Sequence, residues 1–200
     1  VQSQAGSSHL AQIFELVWPA ILQGLLITVV FITDRALLGH FSADGLSVMQ
    51  ICGPVLWSLF SVCGVLDVGA LAMIGRAVGA RDEERARQLL SAGLWAAFGV
   101  GVLLSLSTPW VAQLTIEGFG REAPHLHQIS IAYLSPVLWF APFKMIGGLC
   151  SAALQSGGDT RTPMWISLIC GVVNLLLSAG LIYGWGGLPQ WGIVGASWGS

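Results

Sequence analysis

Five long stretches of this chain carry no charge, and they leave little choice of solvent. Residues 16–33, 45–66, 88–116, 123–143 and 162–200 contain no Asp, Glu, Lys or Arg. A helix needs about 20 apolar residues to cross a bilayer. Each run approaches or exceeds that length, so the pattern predicts an all-α membrane protein. The rest of the composition agrees. Of the 200 residues, 54% are hydrophobic and only 9% charged, against about 25% charged in a soluble domain. The net charge of −2 gives no basic surface for nucleic acid.

Charges and turn residues set the helix limits. The first helix is expected over 13–38, behind an N-terminal tail of residues 1–12. The second runs over 45–75, past Asp67. The third lies within 88–116. The fourth covers 123–154, past Lys144. The last charge-free run is too long for one span, and Gly184-Trp-Gly-Gly-Leu-Pro189 divides it, since Gly and Pro punctuate helices. That leaves a fifth helix over 163–183 and a sixth beginning near Gly192. Loops are expected at 39–44, 79–85, 117–123, 155–162 and 184–191. The chain begins at Val1 rather than Met and ends within the sixth run. It is therefore read as a piece of a longer protein, with 13–200 forming one transmembrane bundle. The first apolar run is too long for a cleavable signal peptide.

Arginine counts give the orientation. Arg76, Arg81, Arg85, Arg87 and Arg161 lie on one side, against Arg35 and Arg121 on the other. The richer side, with the N-terminus, is expected in the cytoplasm of an inner (plasma) membrane protein. The four cysteines, 52, 63, 150 and 170, form no CxxC pair and read as small packing residues. His125 and His127 lack a third ligand nearby in sequence, so a solvated loop pair is preferred to a metal site.

Ionisable groups inside a span are costly, about 2.5–3.5 kcal/mol at a helix centre on insertion scales, and mark function by default. Three matter here: Asp34, Asp67 and Lys144. Gln23 lies three turns before Asp34 on the same face. Asp34 could still be an interfacial charge beside Arg35. In the fifth helix Ser167, Gly171, Asn174 and Ser178 recur at spacings of four, three and four, so they line one face. Such a stripe suits close helix packing or the wall of a wet cavity. Asn174 favours the cavity, because its amide can hold a cation or a carboxylate. Asp67 and Lys144 fall at similar depth when counted at 1.5 Å per residue from the ends of their helices, so they are a candidate buried pair, the alternative being that each faces the cavity separately.

At these positions the sequence resembles the multidrug and toxic compound extrusion (MATE) family of antiporters. The likeness rests on Pro19 followed by Asp34-Arg-Ala-Leu-Leu-Gly39-His40, and on Gly75-Arg-Ala-Val-Gly79-Ala80 with its charged turn. It continues through Gln155-Ser-Gly-Gly-Asp159-Thr-Arg-Thr-Pro163, Asn174-Leu-Leu-Leu-Ser178 and Gly192-Ile-Val-Gly-Ala196. The resemblance implies two six-helix bundles, of which this chain supplies most of the first. It implies export of small cationic or amphiphilic molecules in exchange for H+ or Na+ by alternating access. It places the coupling group at Asp34 and carries the family's fifth-helix Asn onto Asn174, with Ser178 four residues on; Gln23, Ser167 and Gly171 are candidate cavity-lining residues on the spacing given above. One branch of the family has an Asp where this chain has Ser178. A single carboxylate makes a weak Na+ site, because hard cations favour several oxygen ligands. H+ is therefore the favoured ion, and no other cofactor or metal is implied beyond Na+ at Asp34. The expected partners are small-molecule substrates, lipid and the second bundle.

Rival readings are weaker on the residues. A lipid-linked oligosaccharide flippase of the same superfamily needs several cavity cations for pyrophosphate, and Lys144 is the one basic residue well inside a span. A membrane-embedded enzyme needs a motif such as H-E-x-x-H, and the sequence has none. A structural scaffold gains little from a buried Asp34 and Asn174.

Overall fold

The computed structural model describes residues 2–119, 124–187 and 189–199, and helices dominate them. The helices are α1 (Gln2–Phe41), α2 (Ala43–Cys63), α3 (Val65–Gly79), α4 (Glu83–Leu106), α5 (Thr108–Phe119), α6 (His127–Trp139), α7 (Ala141–Ser156), α8 (Arg161–Tyr183) and α9 (Ile193–Gly199). Four spans are long and apolar enough to cross a membrane: Val17–Phe41, Ala43–Gly79, Glu83–Leu106 and Arg161–Tyr183. A fifth is formed if the bent pair Pro124–Trp139 and Ala141–Ser156 counts as one.

The expected spans are therefore present, but three of them are interrupted. Gly64 separates α2 from α3 with near-helical angles, φ −60° and ψ −14°, so the span runs on. Ser107 separates α4 from α5, with Pro109 in the first turn of α5. The proline's missing N–H would leave the Ser105 carbonyl bare, and the Thr108 hydroxyl donates to that carbonyl at 2.6 Å. At Phe140 the chain bends by 47° between α6 and α7, where Pro142 again removes a donor. The expected loops are shorter than drawn: α1 passes to α2 through Ser42 alone. Residues 120–123 of the expected 117–123 loop lie outside the described residues, as does Leu188 of the 184–191 loop. Helix α1 begins at Gln2, well before residue 13.

The two arginine-bearing turns share one construction. After α3, the Asp82 N–H donates to the Ala77 carbonyl at 3.0 Å, with Arg81 left-handed at φ 58°. After α7, the Asp159 N–H donates to the Leu154 carbonyl at 3.0 Å, with Gly158 at φ 88°. Both satisfy carbonyls that a helix end leaves open. Each aspartate then serves the next helix. Asp82 Oδ1 accepts from the Arg85 N–H and Asp159 Oδ1 from the Thr162 N–H, both at 3.0 Å. The bonds with Thr162 hold the Asp159 carboxyl below the usual carboxylate range. A depressed folded value stabilises the folded turn above the unfolded value, about 3.9, and the benefit is lost as pH falls through the folded one. Amide exchange at Thr162 should therefore show protection lost on acidification. In Asp159→Ala that protection should already be missing at neutral pH. Equal protection in both proteins would show that this cap does not hold the helix end.

Two apolar clusters organise the bundle. One joins Ala70, Ile74, Ala97, Met145 and Leu149 where α3, α4 and α7 meet. The other joins Leu38, Val48, Met49, Cys52, Tyr133, Leu134, Ile182, Ile193 and Ala196 from α1, α2, α6, α8 and α9. Around them Trp57, Trp95, Phe143 and Leu176 stand exposed. Apolar exposure on this scale is untenable in water but ordinary in lipid or against another bundle.

Candidate functional site

Asp34 is buried, with 7% of its surface exposed. It lies one turn before Leu38 on the same face of α1, and Leu38 belongs to the larger apolar cluster. Asp34 is thus one helical turn from a member of that cluster. Arg35 does not reach out as an interfacial charge. Its guanidinium lies 4.5 Å over the Phe31 ring, and its Nη2 lies 3.4 Å from where a Cβ at Gly53 would stand. The bare backbone of α2 makes room for it. Buried Tyr133 on α6 lies within electrostatic range of both Asp34 and Arg35. Arg35 is legible in sequence as the neighbour of Asp34, but Tyr133 is not, because only the approach of α6 to α1 brings it there.

The stripe on α8 is divided between two partners. Ser167 accepts from Gln23 Nε2 at 3.1 Å, and Gly171 faces α1, where Val30 Cγ2 would lie 2.9 Å from an added Cβ. Asn174 Nδ2 donates to the Gly199 carbonyl at 2.9 Å, and fully buried Ser178 packs against Gly199. Packing against α1 and α9 therefore occupies much of the face. A cleft of about 120 Å³ remains along it, lined by Val30, Thr33, Ser167, Gly171 and Asn174. Asp34 follows Thr33 in α1. Two buried oxygens, Asn174 Oδ1 and Ser178 Oγ, have no hydrogen-bond partner among the described residues. Such atoms suit a cation or a proton donor.

A larger cavity, about 490 Å³, opens among α1, α2, α3, α7 and α8. Gln23 and Ser167 line it, and Gln155 Nε2 donates to Gln23 Oε1 at 3.0 Å. The cavity also holds Asp67, Lys144, Gly148 and Ser151. On α7, Lys144, Gly148, Ser151 and Gln155 recur at spacings of four, three and four, the same as the α8 stripe. That spacing was available in the sequence, but Lys144 and Gln155 are read there separately and not as members of one stripe.

The candidate ion pair between Asp67 and Lys144 is not formed. The Asp67 carboxylate lies flat on α7 at Gly148, with Oδ2 2.6 Å from where a Cβ would stand. The Lys144 ammonium instead sits 4.4 Å over the Phe60 ring. The two charges face one cavity separately. On the opposite end, His125 Nε2 lies 3.7 Å from Asp44 Oδ1 in a solvated contact. His40, expected in a loop, ends α1 with Nδ1 2.8 Å from the Ala36 carbonyl. No group of three metal-ligating side chains occurs among the described residues.

This is a multi-pass helical bundle with buried polar groups facing internal clefts, as in membrane transporters. The chain belongs to the MatE family, which it matches over residues 19–179. It is 28% identical to the probable multidrug resistance protein NorM of Thermotoga maritima over 186 residues, 93% of this chain and 40% of that protein. It is 26% identical to the multidrug resistance protein MdtK of Klebsiella pneumoniae over 185 residues, 92% of this chain and 40% of that protein. The chain thus spans about two-fifths of these relatives. Its fold superposes on an outward-facing multidrug resistance MATE family transporter with a TM-score of 0.85, 22% identity, and coverage of 94% of this chain and 41% of that one.

Proposed function

We propose that the full-length protein exports small cationic or amphiphilic organic molecules in exchange for H+ or Na+, by alternating access, across the inner (plasma) membrane with its N-terminus in the cytoplasm. The carrying observation is a buried carboxylate, Asp34, one helical turn from Leu38 of the larger apolar cluster. The family membership and the relatives' multidrug resistance names support the same reading.

Asp34 is the coupling group, with Asn174 and Ser178 supplying oxygens beside it. A carboxylate removed from water favours its neutral form, and hydration favours the charged one. When the site opens outward, water enters and the carboxylate ionises. A proton or Na+ then neutralises it, and the helices can repack around the apolar cluster. Asn174 and Ser178 offer neutral oxygens but no second carboxylate, so H+ is the favoured ion.

Reconstitution of the full-length protein tests this directly. Vesicles preloaded with a fluorescent organic cation should release it faster under an imposed pH gradient, in Na+-free buffer. Acceleration only by a Na+ gradient would replace the ion and keep the antiport. No acceleration by either gradient would end the proposal.

A further inference from the structure

Lys144 is a cation placed where an exported cation would bind. Its ammonium covers the face of Phe60 at 4.4 Å. Both residues line the polar cavity that holds Asp67, and both also line a second, aromatic cavity of about 360 Å³ with Phe31, Trp57 and Tyr133. The Lys144–Phe60 contact therefore sits where the two cavities meet. An aromatic face attracts any cation that is stripped of water, whether a side chain or a ligand.

We propose that Lys144 is a tethered competitor: it occupies Phe60 when no cargo is bound, and an aromatic organic cation displaces it toward Asp67. The geometry supplies the alternative resting place. The Asp67 carboxylate lies on Gly148, four residues along α7 from Lys144, an axial rise of about 6 Å. A lysine has a flexible four-carbon stem and three rotatable donors, so its ammonium can leave the ring and reach that carboxylate without moving the helix. In the empty site the two charges remain apart and the cavity between them stays open. With cargo on Phe60 they pair, and the displaced ammonium is not left without a counter-charge in a poorly hydrated span. The cation contributed by Lys144 thereby sets a threshold: only cargo that binds the ring better than the lysine does is retained.

This inference rests on the cation-export reading above, and the test separates the two. Tetraphenylphosphonium binding is measured by calorimetry on the purified full-length protein, with Trp fluorescence melting to confirm that each variant is folded. K144M should bind the cation about tenfold tighter, the scale of one desolvated cation–π contact. In F60L the same K144M change should give little or no gain, because the contested ring is gone. D67N should weaken binding when Lys144 is present and leave it unchanged in K144M. Unchanged or weaker binding by K144M overturns the inference. So does a gain that survives intact in F60L, which would be through-space repulsion alone, or a D67N loss that is equal in both backgrounds, which would place the cargo's charge on Asp67 itself. If wild-type protein exports the cation but these couplings are missing, only this inference fails. If wild-type protein neither binds nor exports it, the export reading fails and takes this one with it.

Discussion

Asp34→Asn in the full-length protein should reduce gradient-driven efflux to the passive leak while leaving substrate binding largely intact. The substitution keeps the size of the side chain and removes its ability to alternate between charged and neutral forms. One elementary charge moving through 100 mV contributes about 2.3 kcal/mol, and 1.4 kcal/mol already shifts a two-state equilibrium tenfold. In the proposed mechanism the variant lacks the titrating group through which that free energy acts on the helices. Efflux and binding are to be measured on the same preparation, since a fold defect would depress both. Wild-type efflux rates in Asp34→Asn under an imposed gradient would reduce Asp34 to a structural charge. Loss of efflux together with lost binding, in a variant that still melts at the wild-type temperature, would make it a substrate contact instead.

Gly101→Val should strongly destabilise the bundle. A Cβ at this position would lie against Pro142 Cα, 2.8 Å from Pro142 N and 3.2 Å from the Ala141 carbonyl carbon. These are backbone atoms at the bend between α6 and α7, so no rotamer change can clear the space. Overpacking a well-filled core costs about 1–3 kcal/mol, and a clash with fixed backbone belongs at the upper end. Gly99 provides the control: it lies on the same helix, and an added Cβ would meet nothing within 4 Å. Gly99→Val should therefore melt near the wild-type temperature, while Gly101→Val loses folded yield and melts lower. Equal melting of the two variants would show that α4 does not pack against the bend.

Much of the fold was legible because lipid imposes a simple rule. Every backbone polar group inside a bilayer must be satisfied locally, so charge-free runs of sufficient length become helices. The charged turn after α3 and the Gly-Gly-Asp turn after α7 were readable for the same reason: charges and turn residues return the chain to water. The breaks within spans were harder. Pro109 and Pro142 stand in the sequence, but whether a proline only kinks a helix or ends it depends on what receives the orphaned carbonyl. Thr108 answers that at one break.

The sequence by itself determined the solvent, the helical class, the approximate spans and the identity of the intramembrane polar groups, because these follow from composition along the chain. Only the tertiary structure decided which polar groups meet. Counting 1.5 Å per residue gives Asp67 and Lys144 a common depth, but depth does not fix direction around the helix axis. Packing turns Asp67 onto Gly148 and Lys144 onto Phe60. It likewise draws Gln155 from α7 into a chain with Gln23 and Ser167, and commits the Asn174 amide to Gly199. Each of these contacts joins residues from different helices, and their rotation relative to one another is set by side-chain interdigitation across the whole bundle, which no single helix encodes.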